Sequence, residues 1–259
     1  MDNWEVRVIN TKSFYLTDTG RVREHNEDSV TILKNVSGEY LLVVADGMGG
    51  HRKGEVASAL TVTHLGKRFT ESASIGTKID AVNWLSDNIN EINKEILEYG
   101  DQNENSKGLG TTVVAAIVTK EFLIFANIGD SSGYVMKNNK LHRVTKPHTL
   151  VNFLVDAGDI TEEQAINHPK KNVLMKALGA TEKCEPDIFD VDNGSDAVFL
   201  CSDGLTGMLN DEQIEKVLLE NDLTVDEKVV KLIKKCNARG GSDNISVAYL
   251  VRESGDFAW

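Results

Sequence analysis

The order of predicted helices and strands indicates an α+β fold in which antiparallel sheets pack as a sandwich. Predicted helices come in adjacent pairs, and predicted strands follow one another through short turns, as between Val118 and Phe122. A regular alternation of strand and helix, which is typical of parallel sheets, does not describe this pattern. Only three prolines and no low-complexity tract occur in the 259 residues, so we expect one compact domain.

Strands are predicted where apolar and β-branched residues form short runs between turn residues. The strongest runs are Tyr40–Ala45, Thr112–Val118, Phe122–Ile128, Ala197–Cys201 and Ile245–Val251. Weaker runs are Tyr15–Thr17 and Ser29–Leu33.

Helices are predicted where apolar residues recur at steps of three and four. The clearest stripe runs from Val82 to Tyr99, and another runs from Val229 to Cys236 after the capping pattern Thr224-Val-Asp-Glu227. Two further helices are expected over Gly54–Phe69 and from a cap at Asn210 through Leu219. We interpret these stripes as core packing without a chemical role.

Composition limits the classes of partner. The chain has 28 basic and 40 acidic residues and a formal net charge of −12, which argues against nucleic acid or an anionic membrane, since both require basic surfaces. The apolar runs have strand length, and the N-terminus lacks the pattern of a signal peptide. Three widely spaced cysteines form neither a disulfide framework nor a zinc pattern. We therefore expect a cytoplasmic protein.

One local pattern, an apolar strand that runs into an aspartate flanked by glycine, occurs three times. Its aspartates are Asp46, Asp130 and Asp203, and a fourth, Asp243, lies in a glycine-rich segment just before a predicted strand. Any one of them alone is more simply a turn, because Asp-Gly is a common turn dipeptide.

Four such aspartates at the ends of the most apolar strands predict a cation site. Strand ends hold carboxylates rigidly, and glycine lets backbone carbonyls approach a ligand. Carboxylate and carbonyl oxygens suit hard cations such as Mg²⁺ and Mn²⁺.

A charged segment near the N-terminus adds candidates. Arg23 could bind two phosphate oxygens in a bidentate fork while Glu27 or Asp28 reaches a metal ion. Taken alone, this segment is more simply a solvated charge run.

These residues, in this order, resemble the type 2C metal-dependent protein phosphatases (the PPM family) in their compact bacterial form. The matching segments are Arg23-Glu-His-Asn-Glu-Asp28, Val44-Ala-Asp-Gly-Met-Gly-Gly-His51, Gly54-Glu-Val-Ala-Ser58, Gly110-Thr-Thr-Val113, Asn127-Ile-Gly-Asp-Ser131, Cys201-Ser-Asp-Gly-Leu205 and Gly241-Ser-Asp-Asn-Ile245. The resemblance implies a single phosphatase domain over residues 1–259, built as a four-layer α-β-β-α sandwich with two antiparallel sheets flanked by helices.

The resemblance also implies a site. By similarity, the metal ligands are Glu27, Asp28, Asp46, Gly47, Asp130, Asp203 and Asp243. Asp46 is implied to bridge two ions and Gly47 to contribute its carbonyl, with Asp28 either a ligand or a water-mediated support. Asp130 matches a third ion site. Arg23 is implied as the phosphate clamp, and His51 is the candidate general acid.

The implied reaction is hydrolysis of phosphoserine and phosphothreonine on proteins by a water that bridges two or three Mn²⁺ or Mg²⁺ ions, without a phosphoenzyme. The implied partners are phosphorylated proteins and a cognate serine/threonine kinase, and the expected state is a monomer. Two other functions stay open: a catalytically weak phosphoprotein-binding regulatory module of the same fold, and a phosphomonoesterase for small molecules.

Some positions depart from the family or have two interpretations. Ser132, Pro147 and Lys176 stand where arginine, aspartate and arginine are usual. The last two belong to a variable flap expected at about residues 144–179, which we predict to be the most mobile ordered part. Thr111 and Thr112 either bind metal-bound water or simply begin a strand. Ser202 and Asn244 are expected to support the neighbouring aspartates.

Overall fold

A computed structural model of the chain describes residues 13–49, 54–103 and 108–252. The strands are β1 (Ser13–Asp18), β2 (Asp28–Lys34), β3 (Tyr40–Met48), β4 (Gly110–Thr111), β5 (Val113–Val118), β6 (Leu123–Ile128), β7 (Ser132–Lys137), β8 (Lys140–Arg143), β9 (Asp187–Val191), β10 (Ala197–Cys201) and β11 (Ile245–Val251). The helices are α1 (Gly54–Glu71), α2 (Lys78–Gln102), α3 (Leu150–Asp156), α4 (Glu162–Ile166), α5 (Asp203–Thr206), α6 (Asp211–Leu218) and α7 (Val225–Ala238).

Two antiparallel sheets form the centre of the fold. One has the strand order β1-β11-β10-β7-β8, and the other has the order β2-β3-β5-β6-β9 with β4 paired to β3. Helices α1 and α2 pack on the outer face of the second sheet, and α5, α6 and α7 pack on the first. The predicted four-layer α+β sandwich is therefore confirmed.

The central strands are apolar on both faces because both faces are buried. In β3, Leu41 and Val43 pack with the helix layer, whereas Leu42 and Val44 pack between the sheets. A strand covered on both faces has a continuous run of apolar residues instead of alternating apolar and polar residues. This is why β3, β5 and β10 were recognisable in the sequence.

Two strand boundaries differ from the predictions in a way that affects the site. Strand β3 continues to Met48 and includes Asp46, whereas the prediction ended at Ala45. The predicted strand Thr112–Val118 begins one residue later, at Val113, and Thr112 lies between β4 and β5. Thr112 donates its backbone N–H to Asp46 O at 2.9 Å, so β3 holds the break between these two strands.

Strands β7, β8 and β9 were not predicted. Strand β7 begins with serine and glycine, which are poor strand formers, and β9 is an edge strand with two acidic residues. Strands β7 and β8 are joined by Asn138 and Asn139, both with positive φ (52° and 58°), as a tight hairpin turn requires.

The expected flap corresponds to the segment between β8 and β9. It contains α3 and α4, and Thr161 caps α4, because its side chain accepts a hydrogen bond from Gln164 N. The segment returns to the second sheet at Leu178, which exchanges two backbone hydrogen bonds with Thr111. Among the described helices, none is both long enough and apolar enough to cross a membrane.

Candidate metal centre

Most of the predicted site residues line one cavity of about 310 Å³. Its walls are Arg23, Glu27, Asp46, Gly47, Met48, Gly49, Thr112, Asp130, Asn172, Leu174, Asp203, Asp243 and Asn244. The candidate general acid His51 falls outside the described residues. Asn172 and Leu174 come from the flap and were not predicted, because no local pattern shows how the flap folds back over the sheet edge.

The sheet topology explains the convergence. Asp28 begins β2 and lies directly opposite Asp46 near the end of β3. Asp130 follows β6, Asp203 follows β10, and Asp243 precedes β11. Since all neighbouring strands are antiparallel, these starts and ends lie at the same end of the sandwich.

Both backbone polar groups of Asp46 are held by two threonines. Asp46 N donates to Thr112 Oγ1 at 3.0 Å, and Thr111 Oγ1 donates to Asp46 O at 2.9 Å. Thr112 Oγ1 also lies 2.9 Å from Ser131 Oγ, next to Asp130. The threonine hydroxyls thus hold the Asp46 backbone, and their binding of metal-bound water stays a prediction.

Glu27 is oriented by the start of α1. Gly54 N donates to Glu27 Oε1 at 3.2 Å, and Ser58 Oγ donates to Glu27 O at 2.6 Å. Helix N-termini carry partial positive charge and free N–H groups, so they favour a carboxylate. A β-carbon on Gly47 would lie 2.2 Å from Gly54 O, so this close approach of α1 to β3 requires glycine.

Asp28 lies behind the cavity wall. It is 7% exposed, and its Oδ2 accepts a 2.7 Å hydrogen bond from Ser202 Oγ. Ser202 was expected to support Asp203, and its hydroxyl instead contacts Asp28, which belongs to the other sheet. The second oxygen of Asp28, Oδ1, is buried without a hydrogen-bond partner among the described residues.

Arg23 and Asn244 line the cavity and both donate hydrogen bonds to Asp243. Arg23 Nη2 donates to Asp243 Oδ2 at 2.7 Å, and the arginine side chain is 51% exposed. Asn244 donates its N–H to Asp243 Oδ1 at 2.9 Å, as expected, and its side-chain oxygen accepts from Glu27 N. The predicted phosphate clamp therefore already bonds to a predicted metal ligand.

The carboxylates strongly perturb one another. Burial, followed by the charges of Asp28, Asp203, Asp130 and Asp243, raises the pKa of Asp46 well above its usual range. Burial is also the main cause that raises the pKa of Asp28 and of Asp130 to about 7. Such mutual repulsion at buried positions favours protons or cations at the site.

Asp203 is perturbed in the same way. Burial, followed by the charge of Asp243, raises its pKa, although the neighbouring Asp46 carboxyl group and the Arg23 guanidinium oppose the shift. Asp203 Oδ1 is buried and has no hydrogen-bond partner among the described residues.

The donor set fits hard divalent cations. It consists of carboxylate oxygens and the closely packed backbone at Gly47, which are ligands that Mg²⁺ and Mn²⁺ prefer. In the described ranges, no three acidic, histidine or cysteine side chains already form a closed ion cage. Carboxylates instead line an open cavity. A bound cation would offset the repulsion that raises the pKa values of Asp46, Asp130 and Asp203, and it would give the unpartnered oxygen of Asp203 a partner.

Two of the departures from the family pattern have local partners. Ser132 Oγ accepts a 3.0 Å hydrogen bond from Arg143 Nη1, so the guanidinium of this β8 residue lies next to Ser132. Arg143 is also bound to Asp211 of α6 at 3.1 Å. Lys176 donates to Asp187 Oδ1 of β9 at 3.2 Å.

Comparisons with known proteins show the family and the fold that this chain shares. A family model described as protein phosphatase 2C matches residues 19–245. The serine/threonine phosphatase stp of Listeria monocytogenes serotype 4b is 42% identical over 240 residues, which cover 92% of this chain and 95% of the relative. Serine/threonine phosphatase Stp1 from Staphylococcus aureus has a similar crystal structure (TM-score 0.86, 36% identity, 93% of this chain and 95% of that one). The Mycobacterium tuberculosis serine/threonine phosphatase PstP/Ppp aligns with a TM-score of 0.83 and 34% identity over 93% of this chain and 98% of that one.

Proposed function

Because the chain belongs to the protein phosphatase 2C family, we propose that its acidic cavity is where phosphoserine and phosphothreonine esters of proteins are hydrolysed. The chain is a metal-dependent serine/threonine protein phosphatase, as its named relatives are. One observation carries the location of the site. Five distant stretches of chain bring Glu27, Asp46, Asp130, Asp203 and Asp243 to a single cavity.

Divalent cations such as Mn²⁺ or Mg²⁺ are the cofactors of this family. We propose two ions, with Asp46 shared between them. Glu27 and the Gly47 carbonyl would complete one set of ligands, and Asp203 and Asp243 the other. Such ions would offset the negative charge of the phosphate ester, and they would lower the pKa of a bound water so that it could attack phosphorus.

Two further carboxylates are assigned to outer positions. Asp130, with Asp203, would hold a third ion at the flap side of the cavity. Asp28 does not line the cavity, and its Ser202 hydrogen bond suits a support that binds through water. Its unpartnered Oδ1 is the acceptor that such a water would use.

The remaining roles belong to the side chains of the chain itself. Arg23 is half-exposed at the cavity mouth, where its guanidinium can orient phosphate oxygens. Thr111 and Thr112 keep the Asp46 backbone fixed so that its carboxylate does not drift. His51 is proposed as the general acid that protonates the leaving seryl or threonyl oxygen.

The substrates are phosphorylated proteins, as for the named relatives. We propose that the phosphatase acts in the cytoplasm as a monomer and opposes a cognate serine/threonine kinase. We also propose one phosphatase domain over residues 1–259, with the flap at about 144–179 as its variable part.

The activity is tested with p-nitrophenyl phosphate and a phosphothreonine peptide, with Mn²⁺ and with EDTA. We expect hydrolysis that requires Mn²⁺ and falls at least about a hundredfold in Asp46→Asn, since this residue is shared by two ions. Activity that survives EDTA or this substitution contradicts the proposal. A much higher kcat/KM on small phosphomonoesters, or phosphopeptide binding without turnover, would identify the small-molecule esterase or the regulatory module instead.

A further inference from the structure

The start of the flap is bound to the turn that carries Asp130. His148 N donates to Gly129 O at 2.9 Å, and Gly129 N donates to His148 Nδ1 at 3.0 Å. Both backbone polar groups of Gly129 are therefore bound by one flap residue. The next residue along the chain is Asp130, which lines the cavity together with Asn172 and Leu174 of the same flap.

The opposite side of this turn is fixed by steric contact. Gly129 has φ +102°, and a β-carbon there would lie 2.5 Å from Thr112 Cγ2. Thr112 in turn holds Asp46. The turn before Asp130 thus lies between Thr112, which holds the Asp46 backbone, and the His148 imidazole.

The hydrogen bonds determine the tautomer of His148. Because Gly129 N–H donates to Nδ1, this nitrogen carries no proton, and the ring proton is on Nε2. Nε2 then donates to Asp187 Oδ2 at 3.0 Å. The other oxygen of Asp187 accepts from Lys176 at 3.2 Å. The His148 side chain is 14% exposed, so water competes little for these bonds.

The carboxylate partner of His148 comes from a distant segment of the chain. The residue before His148 is Pro147, which brings no carboxylate to the imidazole. The carboxylate comes instead from Asp187 at the start of β9, and Lys176 of the returning flap segment binds the same group. Burial would raise the pKa of Asp187, but the hydrogen bonds from His148 and Lys176 outweigh it and hold the pKa below its usual value.

We propose that His148 is a positioning residue: it sets the Gly129–Asp130 turn so that the Asp130 carboxylate faces the cavity, and Asp187 orients its imidazole. The cation-binding part of this inference rests on the proposed function, in which Asp130 holds the third ion. A residue that orients a metal ligand in this way changes metal affinity without touching the ion.

The test distinguishes the hydrogen bond of His148 Nδ1 with Gly129 from the hydrogen bond of Nε2 with Asp187. In His148→Asn the amide oxygen stands near the position of Nδ1 and can still accept from Gly129 N–H, whereas His148→Gln can reach Asp187 only. His148→Ala removes both contacts. Mn²⁺ binding is measured by calorimetry for these variants and for Asp130→Asn, and exchange of the Gly129 amide hydrogen is measured by NMR.

We expect His148→Ala and His148→Gln to weaken the weakest Mn²⁺ site about tenfold and to speed exchange of the Gly129 amide, with His148→Asn within about threefold of the parent. If Asp130→Asn weakens Mn²⁺ binding, then equal binding in His148→Ala and the parent, or equal loss in the Asn and Gln variants, overturns the inference. If His148→Ala does not fold, the Asn and Gln variants decide it.

A different result is expected if Asp130 does not hold a third ion. Asp130→Asn would then bind Mn²⁺ as the parent does, and the ion-binding role of Asp130 would be lost. Amide exchange still decides the role of His148: faster exchange at Gly129 in His148→Ala supports the positioning role, and unchanged exchange overturns it.

Discussion

Replacing Thr112 by valine tests whether its hydroxyl holds the central carboxylate. Thr112 is 1% exposed, and its Oγ1 accepts from Asp46 N at 3.0 Å and lies 2.9 Å from Ser131 Oγ. Valine has nearly the same shape and keeps the methyl group that contacts the Gly129 turn. The substitution therefore removes one hydroxyl and leaves a buried N–H without its acceptor.

The size of the effect follows from that buried N–H. Leaving a buried donor unsatisfied costs about 1–3 kcal/mol, so we expect a loss of about 2 kcal/mol in the free energy of unfolding. For a chain of this size, that loss lowers Tm by about 4–8 °C. Because Asp46 is the proposed shared ligand, we also expect Mn²⁺ affinity to fall about tenfold or more.

The assay combines thermal unfolding in EDTA with Mn²⁺ calorimetry, and the chain offers a matched control. Thr61 is also fully buried and donates its hydroxyl to Ala57 O at 2.8 Å within α1, away from the cavity. Thr61→Val should lower stability without changing Mn²⁺ affinity. If Thr112→Val binds Mn²⁺ as tightly as Thr61→Val does, the hydroxyl does not position Asp46 and the reasoning is refuted.

Two further predictions concern charge. The pKa values of Asp28 and Asp130 rise from 3.8 to about 7 on folding, so between these values the folded state binds more protons than the unfolded state, and stability falls as pH rises. We expect Tm in EDTA to drop between pH 5 and pH 8 and saturating Mn²⁺ to reverse most of the loss; a Tm in EDTA that rises over this range contradicts it. Arg23→Ala should raise KM for a phosphopeptide about tenfold, because a guanidinium–phosphate contact is lost, while Arg23→Lys recovers only part of it. Unchanged steady-state kinetics in Arg23→Ala would exclude the phosphate clamp.

The sequence predicted the parts of the molecule whose signal is local. Strand β10 and strand β11 were predicted at their observed boundaries, because an apolar run buried on both faces has one clear interpretation. The aspartates at 46, 130, 203 and 243 were recognisable from the glycines beside them and from their order along the chain.

The features that were missed depend on contacts between distant residues. Nothing near Arg23 indicates that its guanidinium bonds to Asp243, which is 220 residues away. Ser202 and Asp28 are also far apart in the sequence, by 174 residues, and their contact requires the two sheets to face each other. Such contacts depend on how the two sheets pack together, and local sequence patterns carry no information about that packing.

Turn conformation explains the missed hairpin. Strands β7 and β8 carry weak strand formers, and their pairing depends on Asn138 and Asn139 adopting positive φ. The flap is similar, because Asn172 and Leu174 reach the cavity only through the way the flap folds back. Its predicted mobility stays a prediction.

The most direct test of the central claim is anomalous diffraction from a crystal grown with excess manganese. We predict at least two manganese peaks in the cavity, with Asp46 bonded to both, Glu27 on one side, and Asp203 and Asp243 on the other. Manganese found elsewhere on the protein, with these carboxylates bound to none of it, would contradict the account.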